Sequence, residues 1–137
     1  MFFRKLIPWI MSIAGVLTLT MLYAAISPEA ASQQMFGETP SGAFVSIVVP
    51  NWGVLIGLMG ALLLYGAFHP AARAPALVIA GTSKIAFIAL VLQQGERYLA
   101  GLQTAVIVDS VFVVLFALCL IVGRGSGPPA SRRQAAD

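Results

Sequence analysis

Apolar positions along this chain gather into four long runs separated by short polar stretches. Residues 6–26 form 21 positions without a charge, and 51–68 form 18 without one. Residues 76–92 are 17 positions that include Lys84, and 103–123 are 21 that include Asp109. A hydrocarbon core needs roughly 20 mostly apolar residues per helix, with a usual range of about 17–25. Lipid offers backbone groups no hydrogen-bond partner, so a run of this kind crosses as a helix. The pattern predicts an all-α protein: an integral membrane four-helix antiparallel bundle in one domain, residues 1–123. A polar tail with Gly125, Gly127, Pro128 and Pro129 follows and is expected to be flexible and cytoplasmic, residues 124–137.

The connections carry their own signals. Ser27-Pro28-Glu29 reads as a helix start, since serine caps, proline fits the first helical position and glutamate suits the positive end of the dipole. Gly37 ends that short helix after Met35 and Phe36, which dip toward lipid or partner helices. Residues 41–49 have two readings. The favoured one extends helix two outward from near residue 42 with a kink at Pro50; the other packs them as a non-spanning segment. Arg4 and Lys5 ahead of an apolar run suggest a secretory signal, but the run exceeds the roughly 7–15 residues of a signal core. Pro28 also follows the small-residue site Ala25-Ile26-Ser27 directly, so the segment reads as a retained first helix.

Composition narrows the class. Of the 137 residues, 59% are hydrophobic and 9% charged, and the mean hydropathy is +0.92. Soluble domains have about 45–50% apolar and about 25% charged residues. A soluble enzyme, a disordered tail and a nucleic-acid-binding domain are poor readings, even with a net charge of +3. The single cysteine, Cys119, allows neither an intramolecular disulfide nor a Cys-x-x-Cys site. That removes the small membrane oxidoreductases that shuttle disulfides. One histidine, His69, leaves no bis-His haem site within a chain. No phosphate loop, nucleophile–base motif or metal spacing is present, so no cofactor, no metal and no enzymatic role is expected.

The basic residues set orientation. With the N-terminus inside, Arg4, Lys5, Arg73, Arg124, Arg132 and Arg133 are cytoplasmic, and Arg97 alone is outside. This bias predicts a multi-pass protein of the cell inner membrane with both termini cytoplasmic. Aromatic anchors agree, with Trp9 and Tyr65 near the inner face and Tyr23, Trp52 and Tyr98 near the outer face.

Lys84 and Asp109 are the only charges within the runs. Taking the turn between helices three and four at Glu96-Arg97, Lys84 lies 13 residues before Arg97 and Asp109 lies 12 after it. At about 1.5 Å per residue the two sit at matched depth and are placed to meet. An unpaired charge at the membrane centre costs at least about 2.5–3.5 kcal/mol, which pairing offsets in part. The readings are a structural ion pair, a proton or ion relay, and charges that face another protein. Ser83 and Ser110 flank the pair as polar support.

In helix two, Gly53, Gly57 and Ala61 recur every four residues and suit close helix packing, within the chain or against a partner. Asn51 and Trp52 form a polar cluster, with Trp52 an interfacial anchor. Glu29 and Glu38 read as solvated charges, Glu96-Arg97 as an exposed turn pair, and His69 as a cap on helix two.

Ser27-Pro28-Glu29, the glycine-rich run 53–66, Lys84 and Asp109 together resemble a broad set of small bacterial four-helix inner-membrane proteins of unknown function. A similar plan occurs in DoxX-like proteins and in the scaffold protein of the eukaryotic ergosterol pathway. The resemblance implies an accessory role and carries over no catalytic residue. Small multidrug transporters are similar in size but use a glutamate in helix one, and residues 6–26 contain no acid. Trimeric membrane glutathione transferases place several Arg, Asn and Glu residues in the bundle, which one Lys and one Asp do not reproduce. The expectation is a non-enzymatic accessory or scaffold subunit that contacts membrane lipids and a membrane-protein partner or further copies of itself. The alternative is a small oligomeric proton-coupled transporter or channel using Asp109 and Lys84, and a lipid-modifying or quinone-handling enzyme is a third class with a thin catalytic inventory.

Overall fold

Runs of Leu, Ile, Val, Ala and Phe satisfy their backbones internally as helices, and helices are what form. A computed structural model describes residues 2–38 and 41–124, and no strand occurs among them. The tail assignment at 125–137, with Arg132 and Arg133, lies outside the described residues. In chain order the elements are α1 (Phe2–Leu19), a 3-10 turn (Thr20–Leu22), α2 (Tyr23–Ile26), α3 (Pro28–Phe36) and α4 (Ala43–Phe68). A second 3-10 turn (Pro70–Ala72), α5 (Arg73–Gln93) and α6 (Glu96–Arg124) follow. Among the described residues four stretches are long and apolar enough to cross a membrane: Arg4–Ile26, Ser46–Phe68, Pro70–Gln93 and Glu96–Gly123.

The boundaries follow local chemistry. Helix α3 begins with Pro28 at its first position and Glu29 in its first turn, and Gly37 closes it in the left-handed conformation at φ 69°. Only a residue without a Cβ adopts that cap freely. Ser27 departs from expectation. Its carbonyl accepts from the Ala31 amide at 3.0 Å, but its side chain makes no cap bond. Residues 43–49 continue α4 outward as one helix with Pro50 inside it.

The turn between α5 and α6 is at Gln94-Gly95, with Gly95 at φ 66°, and not at Glu96-Arg97. Both of those residues already belong to α6, with Glu96 at its positive end. At the other end of α5 the sequence has a device that its pattern did not reveal. The Arg73 guanidinium donates to the carbonyls of Gly66 at 3.2 Å and Ala67 at 3.1 Å, capping the last turn of α4 from beyond its end. His69 adds its backbone amide, 2.9 Å from the Tyr65 carbonyl, and its ring stacks on Tyr65 with centroids 4.0 Å apart.

Packing is uneven along the helices. Helix α1 lies tightly on α4 and α5 on α6, while α4 meets α5 and α1 meets α6 more lightly. The buried core joins Ile7, Met11 and Ala14 of α1 to Leu63 and Ala67 of α4. Ala76, Leu77 and Ala80 of α5 and Phe112, Phe116 and Cys119 of α6 complete it. All of these lie in the half of the molecule that holds the α4–α5 turn. The other half is not filled in the same way.

Candidate functional site

Lys84 and Asp109 form an ion pair between α5 and α6. With the turn at Gln94-Gly95, Lys84 lies 10 residues before Gln94 and Asp109 lies 14 after Gly95. The Cα atoms thus differ in depth by about 6 Å at 1.5 Å per residue. Side-chain direction closes the gap. Helical side chains lean toward the N-terminus of their own helix. Lys84 therefore leans away from the turn and Asp109 toward it, and the long lysine stem covers the remainder. The Lys84 ammonium also lies 5.6 Å from the centroid of the Phe112 ring.

The serines flanking the pair do not join it. Ser110 donates to the Val106 carbonyl of its own helix at 2.7 Å, the usual local bond of a helical serine. Ser83 is exposed, and among the described residues it makes no bond to either charge.

The pair stands on the wall of a cavity of about 720 Å³. Every span contributes to the lining: Met21 from near the end of the first, Trp52 and Met59 from α4, Phe87 from α5 and Val108 from α6. Helix α3 adds Ala31, Gln34 and Met35. Ala80 and Phe112 belong both to this lining and to the buried core, so the cavity begins where the core stops. Lys84 and Asp109 keep 12% and 18% of their side-chain surface accessible. A smaller crevice of about 390 Å³ runs between α4 and α5 and shares Trp52, Ile56, Met59, Ser83 and Phe87 with the cavity.

Helix α3 is fixed over this region. Phe36 stands between Trp52, at 6.4 Å between centroids, and Tyr98, at 5.7 Å and edge-on. Glu38 accepts from the Arg97 guanidinium at 2.9 Å and from the Tyr98 hydroxyl at 3.2 Å. Glu38 is thus not merely a solvated charge, and Arg97 pairs with it rather than with Glu96. Sequence spacing could not find this link, because 59 residues separate the partners. The Met35 carbonyl meets α6 at Gly101, where a Cβ would come within 2.5 Å of it.

The glycine seam lies elsewhere, between α1–α2 and α4. A Cβ at Gly53 would lie 2.7 Å from the Ala25 nitrogen, and one at Gly57 2.5 Å from a Leu22 methyl. The third close approach is at Gly60, where a Cβ would lie 2.8 Å from the Gly15 carbonyl oxygen, and Ala61 is exposed. Helical geometry explains the correction. Eight residues at about 100° each turn Ala61 some 80° from Gly53, while seven return Gly60 to the same face. Met11 meets Gly66 further along this seam. Trp9 is 69% exposed, and Trp52 is half-buried in the aromatic group around Phe36.

Among the described residues no three His, Cys, Asp or Glu side chains come together to hold a metal ion. No protein-family model, no curated protein and no solved structure matches this chain.

Proposed function

We propose that the chain is an antiparallel four-span protein of the inner membrane, with both termini cytoplasmic, that serves as a non-enzymatic accessory or scaffold subunit of a larger membrane assembly. The order of contacts supports the antiparallel arrangement. Met11 meets Gly66, Gly15 meets Gly60, Leu22 meets Gly57 and Ala25 meets Gly53, so positions rise on one helix as they fall on the other. The excess of Lys and Arg on one side supports the orientation.

One observation carries the accessory reading: Lys84 and Asp109 neutralise each other within the chain. Their mutual pairing serves to pin α5 to α6. A partner helix has a place to sit as well. Thr82, Ala86 and Ala89 recur at i, i+4 and i+7 on α5 and are exposed, a face of small residues that permits close approach. Further copies of this chain are the other candidate for that face.

A second reading, a proton-coupled transporter, draws support from the cavity, which reaches the ion pair. Affinity purification in mild detergent, followed by mass spectrometry, separates the two. The accessory reading expects a defined membrane-protein partner, whose recovery is lost on Ala89→Trp and retained with the charge-conserving Asp109→Glu. Recovery of the chain alone, together with pH-dependent flux in liposomes that Asp109→Asn abolishes, establishes transport instead.

A further inference from the structure

We propose that the cavity between the two helix pairs is a binding site for a neutral, hydroxyl-bearing single-chain amphiphile drawn from the membrane. The inference is independent of whether the chain is an accessory subunit. Its volume of about 720 Å³ falls within the range of small-molecule sites, roughly 300–1,000 Å³. Trp52, Ile56, Met59, Phe87, Val108 and Phe112 give it an apolar wall that suits a hydrocarbon body.

Lys84 and Asp109 determine the head. An ammonium has three donors, and a carboxylate has two oxygens able to accept about four bonds. Lys84 gives one bond to one oxygen of Asp109, and among the described residues the pair has no other hydrogen-bond partner. Both residues line the cavity and keep part of their side chains accessible, and in the proposed complex their remaining N–H groups and the second oxygen bind the head. A hydroxyl serves both at once, accepting from Lys84 while donating to Asp109.

Charge complementarity selects a neutral head. The pair sums to zero, so an anionic or cationic head would bring a net charge into the membrane interior without a counter-charge. The crevice between α4 and α5 supplies the path. It shares five lining residues with the cavity, and Leu55 and Leu90 at its lip are exposed to the lipid side. A molecule that enters there comes from the bilayer, which accounts for the hydrocarbon body.

The test uses the full chain in lipid nanodiscs and a 16-carbon alcohol with a mid-chain diazirine. Two probes of the same length, ending in a sulfonate and in a trimethylammonium, serve as comparisons. After illumination, mass spectrometry maps the labelled residues. The alcohol is expected to label Met59 and Phe87 at least fivefold more than either charged probe, and unlabelled hexadecanol is expected to compete. Ala105→Trp, which fills the cavity from α6, should reduce that labelling at least fivefold, and Ala105→Leu should reduce it less. If the tryptophan variant melts well below the parent, the leucine variant carries the comparison. Lys84→Met combined with Asp109→Leu should keep the wall labelled and erase the preference for the alcohol. Equal labelling by all three heads overturns the proposal. So does labelling that survives both plugs, or labelling at Met59 no stronger than at lipid-facing Leu58, the result expected of a cavity that holds water alone.

Discussion

Lys84 and Asp109 each carry a charge that hydrocarbon disfavours, and each is the other's main source of relief. Removing one leaves the other uncompensated, whereas removing both leaves an apolar contact between α5 and α6. Lys84→Met alone is therefore expected to destabilise the fold by about 2–3 kcal/mol, since a lone charge at a helix centre costs that order of energy. Adding Asp109→Leu should restore most of the loss, as read by thermal melting in detergent. No recovery in the double variant would show that the two side chains do not depend on each other. At this scale the sequence is a good guide to which two charges meet and a poorer one to their depth and to hydrogen bonding. Counting residues from an approximate turn brought Lys84 and Asp109 together, even though the turn lies at Gln94-Gly95. The flanking serines were misplaced, because a serine's nearest acceptor in a helix is its own backbone, as at Ser110.

At the scale of elements, the α1–α4 contact depends on backbone approach. Gly53 and Gly60 would each press a Cβ against backbone atoms, of Ala25 at 2.7 Å and of Gly15 at 2.8 Å. Backbone cannot step aside. Gly57 would meet the Leu22 side chain, at a methyl and at Cγ, and that side chain can change rotamer. Alanine at Gly53 or Gly60 should therefore cost on the order of 1–3 kcal/mol through overpacking, and alanine at Gly57 less. Ala61→Leu, on an exposed face, should be nearly neutral. Melting midpoints of the four variants check this order, and equal losses at Gly57 and Gly60 would count against it. The small residues were legible in the sequence, and their period of four was the wrong ruler. A helix face returns at alternating steps of three and four, so Gly60 and not Ala61 continues the seam.

For the whole molecule, the proposed orientation places the α3 loop and the Gln94-Gly95 turn outside, and the α4–α5 turn inside. Cysteines introduced at Ser41, Gln94 and Ala71, all exposed, test it in a Cys119→Ala background. A membrane-impermeant maleimide added to intact cells should label the first two positions, and the third only after permeabilisation. The opposite pattern would invert the topology. The short helix α3 is not isolated from the bundle, since Phe36 packs on Trp52 and Tyr98 and the nearby Glu38 accepts from Arg97 and Tyr98.

The amino-acid sequence alone determined the four apolar spans, the start and stop of α3, and which two charges lie within the spans. These are local matters: the length of an apolar run, a proline at a helix start, a glycine at its end. Tertiary structure decided which face of each helix is buried, and therefore which glycine lies in the seam. It also decided that one half of the bundle is a solid core and the other a cavity with α3 on its wall. In a soluble helix the buried face is marked by its apolar stripe. Lipid is as apolar as a protein core, so α4 and α6 are apolar on every side and the mark is absent from them. Rotation about each axis and the spacing between helix pairs are settled only when the surfaces meet.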